Sequence, residues 1–508
     1  MSQSRLVVVS NRLPIILTSQ PDGRLTVRPG AGGLVTALAP VLRNRGGVWI
    51  GWPGMPSDRA DETAVALSEA ATDIGHLLCP VTLSEEEVAK YYEGFSNEII
   101  WPLFHDLPSR CNFDPEYWPV YQAVNRKFAN EIGRLTKDED YVWVQDYQLL
   151  LVGAELARLG LRRTSGFFLH IPFPPVDLFL KLPWRNAILD ALLSYDLIGF
   201  QTSRDRRNFL NCLKTLIAGV SIRGGRQVCS VDVNPRRVRV GVFPIGIDFG
   251  DFDVLAASPQ VVSQAKKLRS EHGNRKLILG VDRLDYSKGI PERLTAFGRA
   301  LEQHPELNSE TTLLQVVVPS RTGVQQYQWL KRDIERIVGE INGKYSRAGW
   351  VPVHYVFRSL GRHELVAHYL AADIALVTPL KDGMNLVAKE YCACRNDGDG
   401  VLILSESAGA AAQLHVGAQL VNPYDIQGIA DTIDLAVRME PAERKARMRQ
   451  LRAVVAKQNV YQWVTSYLKA AFARDLDDFP TVHYYPHVPR HTLDSQTEPG
   501  EVSGEIEW

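Results

Sequence analysis

LVTPLKDGMNLVAKEY, Leu376 to Tyr391, reads as the end of a buried strand, a polar turn and the start of a helix. The strand is Ile374 to Val377; Pro379 ends it, Gly383 lets the backbone turn tightly, and Leu386 to Tyr391 has helical character. A helix N-terminus therefore faces the loop, and its unpaired N–H groups and partial positive charge suit a phosphate. Asp382 sits at the turn, and Glu390 lies on the helix about two turns further on. That separation allows different tasks, Asp382 toward a sugar hydroxyl and Glu390 toward ribose hydroxyls, as in a sugar-nucleotide site. The competing reading makes Asp382 only a capping residue. Companion motifs have to decide between the two.

A second segment of this kind is GVDRLDYSKGIP, Gly280 to Pro291, which follows the apolar run Lys276 to Leu279. Arg283 and Lys288 project from it. Two cations here can neutralise a diphosphate leaving group without a metal, Arg as a fork and Lys as a point charge. At about 4 Å and an effective dielectric near 20, each contributes on the order of 4 kcal/mol against one phosphate charge. Alternatively they pair with Asp282 and Asp285 at the surface, where ion pairs contribute about 0 to 1 kcal/mol.

Around these loops, apolar strands alternate with amphipathic helices. Strands are expected at Arg5 to Val9, Gly47 to Ile50, Tyr141 to Val144, Thr164 to Leu169 and Leu197 to Phe200, then at Lys276 to Val281, Leu313 to Val318, Val353 to Phe357, Ile374 to Val377, Leu402 to Leu404 and Ala418 to Val421. Two doubly wound α/β domains explain the alternation, with a junction at FPIGIDFGDF. Ligands of such sheets bind beyond the carboxyl ends of the strands, so two facing domains define one cleft.

The 508 residues exceed one ordinary core, and 45% apolar with 23% charged residues is a globular composition. A net charge of −1 argues against a broad nucleic-acid surface. The apolar run near the N-terminus is too short for a signal peptide or a membrane span, so a cytoplasmic chain is expected. Six scattered cysteines, with only Cys392 and Cys394 close, read as reduced and mostly buried thiols. The triplets Asp138 to Asp140 and Asp475 to Asp477 read as solvated charge rather than metal sites.

The motifs VVVSNRLP, AGGL, GWPG, YYEGFSNEIIWPLFH, VQDYQLLL, GFFLHIPFPP with LPWR, GVDRLDYSKGIPERL, VPSR with INGKY, the segment quoted first, and LSESAGAA with VNPYD occur in this order over residues 4–470. On these motifs the chain resembles the trehalose-6-phosphate synthases, retaining glucosyltransferases of GT-B architecture. The resemblance implies an acceptor-binding Rossmann-like domain at 1–245, a nucleotide-sugar domain at 246–458 and a helix at 459–478 returning to the first domain; from Asp475 onward prolines, histidines and acidic residues occur without a periodic apolar face, so a flexible tail is expected at 486–508. It implies glucose transfer from a nucleotide-glucose, foremost UDP-glucose, to glucose 6-phosphate, with no metal or other cofactor and no nucleic-acid or membrane partner. A separate phosphatase is an expected pathway partner, because no hydrolase domain is read after Pro480; self-association is a further expectation, and osmoprotection a physiological one.

By match, Arg12, Tyr92, Trp101 and Arg321 hold the acceptor's phosphate, and Trp52 and Asp146 lie on the acceptor side, Asp146 binding sugar hydroxyls. Gly32, Gly33, Arg283, Lys288, Asp382, Gly383, Met384, Asn385, Leu386 and Glu390 serve the donor. His170 hydrogen-bonds the donor sugar; its alternative is a satisfied buried histidine. The catalytic set implied is His170, Arg283, Lys288 and Asp382, in a front-face reaction where a diphosphate oxygen takes the acceptor's proton. One departure stands out: the family commonly reads HDYH where this chain has Gln145, Asp146, Tyr147 and Gln148. The other readings are a glucosylglycerol-phosphate synthase using glycerol 3-phosphate, a non-catalytic sugar-phosphate sensor, and a phosphorylase-like reaction, for which no sequence support is found. The loop Phe357 to Leu360 is the expected reader of the donor's base.

Overall fold

The structure, a computed structural model, describes residues 5–19, 25–30, 35, 38–39, 41–42, 47–55, 57–161, 163–224, 227–233, 235–321 and 324–473. Gly32, Gly33, most of the AGGL motif, the triplet at 475–477 and the expected tail lie outside these residues.

The first sheet is nine-stranded among the described residues. Its spatial order is Leu77–Pro80, Val48–Trp52, Leu6–Arg12, Tyr141–Gln145, Thr164–Leu169, Leu197–Phe200, Arg236–Val242, Val228–Val233 and Ser221–Arg223. The first seven are parallel, and the last two are added by antiparallel pairing, each to the strand before it in this order. Val48–Trp52 and Tyr141–Gln145 are buried along their whole length, as a parallel sheet covered on both faces requires.

The second sheet is parallel throughout, in the order Val353–Phe357, Thr311–Val318, Lys276–Arg283, Ile374–Val377, Val401–Ser405 and Gln419–Val421. A hairpin of Ile15–Ser19 with Leu25–Pro29 stands apart from both. Two doubly wound α/β sheets facing across one cleft are the GT-B architecture. No described helix is long and apolar enough to cross a membrane.

The strand orders position the cleft. In the first sheet the chain moves outward from Leu6–Arg12 on one side and then from Tyr141–Gln145 on the other, so the order reverses between these two strands. In the second it reverses between Lys276–Arg283 and Ile374–Val377. Strands that diverge from a common point leave a crevice at their carboxyl ends. Arg12 and Asp146 border the first crevice; Arg283 and the loop from Thr378 to Asn385 border the second.

The helix Val460–Phe472 packs on the first sheet, joining a core that includes Trp143 and Phe168. Tyr467 stacks on Trp143 at 4.1 Å, and Trp463 meets Phe168 edge-on at 5.2 Å. Arg239 closes its end by donating to the carbonyls of Ala470, Ala471 and Ala473. Burying Trp463 makes this attachment strong: truncating such a residue typically costs about 3 to 5 kcal/mol.

Several expectations need correction. The edge strands 77–80 and 221–223, the strands 228–233 and 236–242 and the small hairpin are absent from the expected set, because they are short or polar-alternating elements without a long apolar run. Asp140 is not solvated charge: it is buried and accepts from Arg5 Nη2 at 2.8 Å and from the amides of Arg5 and Lys137. The cysteines are free, all buried except the half-buried Cys111, and burial pushes the Cys392 thiol up to about 12.

Candidate active site

The facing strand ends enclose a cleft of about 680 Å³. It is lined by Arg12, Tyr92, Trp101, Asp146, His170 and Arg321 and by Arg283, Lys288, Asp382, Met384, Asn385, Leu386 and Glu390. Trp52 stands behind Arg12, whose guanidinium lies 4.6 Å from the indole centroid. Gly383 lies beneath the lining: a Cβ there would fall 2.2 Å from the carbonyl oxygen of His170. This glycine is required for close approach between the two halves. The left-handed residue of the turn is Asn385, with φ 64°, rather than Gly383.

Asn385 also caps the helix Leu386–Cys394, its side chain accepting from the Ala388 amide at 3.2 Å. The cap is therefore Asn385 and not Asp382. Asp382 instead accepts from Lys288 Nζ at 2.6 Å, from Asn385 Nδ2 at 3.3 Å and from the Met384 amide at 3.2 Å. Burial pushes the Asp382 carboxyl up, but the charge and hydrogen bond of Lys288 outweigh it and hold the group below the usual carboxylate range. Glu390 accepts from Tyr369 Oη at 2.8 Å, and burial raises its carboxyl.

The surface ion pairs considered for Arg283 and Lys288 do not form. Asp282 is buried against the fully buried Arg293, and Asp285 faces Arg321 at 3.8 Å. Arg283 remains exposed at the cleft with no ion pair to a described residue, its guanidinium 6.0 Å from the Trp101 ring centre.

Arg321 is held from four directions. It donates from Nη1 to Tyr327 Oη at 2.6 Å and from Nη2 to Tyr147 Oη at 3.3 Å, and it covers the Trp101 ring at 4.7 Å beside Asp285. Its φ of 49° is left-handed, and Asp146 has φ 72° with ψ 171°, a region that essentially only glycine visits. Five described non-glycine residues have positive φ, and three of them, Asp146, Arg321 and Asn385, line this cleft. Such conformations cost roughly 1 to 3 kcal/mol each and persist where the surroundings enforce them, commonly at functional sites.

Tyr92 and Trp101 are brought together by an unusual helix. Val88–Ile100 is a π-helix, and the Trp101 amide bonds to the Ser96 carbonyl five residues back. At 3.6 residues per turn, positions nine apart fall on opposite faces. With i to i+5 bonding, at roughly 4.4 residues per turn, nine residues complete about two turns and both rings share one face.

The ionisation states are set by burial. Asp146 accepts from the His170 amide at 3.1 Å, and burial pushes its carboxyl up to about 6. His105, tilted against Trp101 with ring centres 4.2 Å apart, is pushed down to about 4, and His170 to about 3. Both imidazoles are therefore neutral at physiological pH. Both ring nitrogens of His170 are engaged, Nε2 with Gln145 Oε1 at 3.0 Å and Nδ1 with Gln201 Nε2 at 3.1 Å.

Sequence reasoning did not single out His105, Tyr327 or Gln201, and it placed Asp285 only as a surface ion-pair partner. His105 lay within a quoted motif and Asp285 within a charged loop, but nothing local marks Gln201 or Tyr327. The loop Phe357 to Leu360 does not line the cleft, and Arg358 pairs with Glu364. Among the described residues, the group close enough to share a metal ion is His304, Glu306 and Asp434, outside the cleft lining, with both carboxylates already paired to Arg438.

The model of the family described as glycosyltransferase family 20 matches residues 4–472. A trehalose-6-phosphate synthase of Mycolicibacterium gilvum is 47% identical over 479 residues, covering 93% of this chain and 95% of its own. A solved Escherichia coli structure described as bound with UDP-2-fluoro glucose superposes with TM-score 0.83 at 36% identity, covering 92% of this chain and 99% of its own. A Burkholderia xenovorans α,α-trehalose-phosphate synthase (UDP-forming) in complex with glucose-6-phosphate gives TM-score 0.82 at 33% identity, over 92% of this chain and 100% of its own.

Proposed function

Since the chain belongs to glycosyltransferase family 20, we propose that it transfers glucose with retention from UDP-glucose to glucose 6-phosphate, forming α,α-trehalose 6-phosphate and UDP. The observation that carries this reading is the presence of two separate anion-seeking groups on one cleft. Arg283, Lys288 and the capped N-terminus of Leu386–Cys394 lie on the second-sheet side, and Arg12 and Tyr92 on the first-sheet side, with Arg321 reaching them from the second. One group suits a diphosphate and the other a phosphate monoester.

In this reading the diphosphate lies between Arg283, Lys288 and the helix amides, which stabilise the charge that grows as the anomeric bond loosens. The acceptor's phosphate is gripped by the guanidinium forks of Arg12 and Arg321 and by Tyr92 Oη, with Trp101 beneath. Asp146 orients the attacking hydroxyl, and its proton passes to a departing diphosphate oxygen on the same face. No protein nucleophile is invoked, so the rate comes from aligning two substrates and from fixed charge. Domains at 1–245 and 246–458, the second carrying the donor, are part of this proposal. The product keeps its phosphate, so a separate phosphatase would complete the route to free disaccharide.

Release of UDP from UDP-glucose, measured with glucose 6-phosphate and separately with glycerol 3-phosphate, tests the proposal, with product linkage read by NMR. An α,α-linked product formed only with glucose 6-phosphate is expected. Preference for glycerol 3-phosphate would transfer the chain to glucosylglycerol-phosphate synthesis, and no release with any nucleotide-glucose would leave a sensor.

A further inference from the structure

Gln145 ends the strand Tyr141–Gln145, immediately before the strained Asp146, and is fully buried against the cleft. Its Oε1 faces His170 Nε2 at 3.0 Å, whereas its Nε2 has no hydrogen-bond partner. A buried amide donor left unpaired is costly, and native structures rarely tolerate one without purpose.

The orientation of this amide is not arbitrary. The backbone N–H of Ile245 donates to Gln201 Oε1 at 2.8 Å, so Gln201 must present its NH₂ to His170 Nδ1, 3.1 Å away. Nδ1 is thereby an acceptor, the proton of the neutral ring sits on Nε2, and Nε2 donates to Gln145 Oε1. Turning the Gln145 amide over would set its NH₂ against the Nε2 hydrogen. A single backbone donor thus fixes the direction of three successive hydrogen bonds, and the series ends in an N–H bond of Gln145 beside the cleft.

We infer that Gln145 Nε2 donates a hydrogen bond to a hydroxyl of the sugar carried by the nucleotide donor. This rests on the glucosyl-transfer reading above. The neighbours fit a neutral sugar better than a phosphate. Gln145 offers no charge, its amide touches the ring of His170, and the His170 backbone packs against Gly383 in the loop bearing Asp382. Gln145 is thus on the seam between the two anion-seeking groups, where the transferred hexose would sit. The neutral Gln201–His170–Gln145 series also presents this donor unchanged across pH, which an ionisable side chain at position 145 would not.

The test is calorimetric titration of the full chain with UDP-glucose and with UDP alone, for the unaltered protein, Gln145→Met and Gln145→Glu. Methionine keeps the bulk and removes the amide; glutamate keeps the shape and removes its N–H donors. UDP affinity is expected to stay within about twofold in both variants, which also establishes that they fold. UDP-glucose affinity is expected to fall about tenfold in both. Equal affinity of variant and unaltered protein for UDP-glucose, or equal weakening of UDP and UDP-glucose, would overturn the assignment. If the unaltered protein itself fails to bind UDP-glucose, the glucosyl-transfer reading fails first and the inference falls with it.

Discussion

Lys288 Nζ lies 2.6 Å from Asp382 Oδ2, although the residues are 94 positions apart and occupy loops after different strands of the second sheet. The pair stands at the reversal point of that sheet and ties together the two loops assigned to the donor. Neither member is more than about a tenth exposed. A buried pair of this kind is weak evidence of net stability, because desolvation offsets attraction. Its effect is to hold a cation in place before a diphosphate arrives.

Lys288→Ala is therefore expected to lower turnover about 100- to 1000-fold, by removing charge at the leaving group. Thermal melting should show a folded protein. Unchanged turnover in that folded variant would remove Lys288 from the reaction.

The raised carboxyl of Asp146 predicts an acidic limb in the pH profile of kcat/KM for the acceptor. With the group ionised only above about 6, activity should fall roughly tenfold per pH unit below that value. Neutral His170 and His105 add no limb near neutrality. A profile flat down to pH 4.5 would show that ionised Asp146 is not required.

The same shift carries a stability prediction with a definite sign. The folded state holds its proton up to about pH 6, whereas an unfolded aspartate releases it near 3.8. The carboxyl's stability contribution is intact below the lower value and lost as pH rises to the higher one. Asp146→Asn should thus be more stable than the parent at pH 7.5, by about 1 to 3 kcal/mol, while nearly inactive. The gain should vanish near pH 3.5. Denaturant melts at both pH values check it, and equal stability at pH 7.5 would refute it.

Gly383→Ala adds a methyl that would meet the backbone of His170 and Ile171, atoms unable to swing aside. The two halves of the cleft must separate locally. A displacement of about 1 Å can cost on the order of 100-fold in rate, so a large fall in kcat with a modest change in melting temperature is expected. Parent-like kcat would mean that the contact is not maintained during turnover.

Arg321→Lys keeps a charge but loses the planar fork that reaches Tyr147 and Tyr327 while covering Trp101. KM for glucose 6-phosphate should rise about 10- to 100-fold, with KM for UDP-glucose changed less than threefold. Equal effects on both substrates would place Arg321 outside the acceptor's phosphate site.

Much of this was legible in the chain. Ile374–Val377 and Leu197–Phe200 begin and end where their apolar runs do, because a strand buried in a parallel sheet has to be apolar throughout; Thr164–Leu169, which starts at an exposed Thr, and the half-exposed edge strand Val353–Phe357 were marked by their aromatic and β-branched residues. Proline and glycine after those runs marked the loops, and the loops carried the charged residues.

The sequence by itself determined the two doubly wound sheets, the strand-end loops and the residue types gathered there, since these depend on short-range periodicity and on backbone preferences of individual residues. Only the tertiary structure decided the partners. The pairing of Lys288 with Asp382, the burial of Asp140, and the direction of the Ile245 to Gln145 series depend on which strands become neighbours, and no local pattern records that order. The π-helix makes the same point for geometry. Tyr92 and Trp101 face the cleft together only because the winding widens, where the usual helical period would have set them on opposite sides.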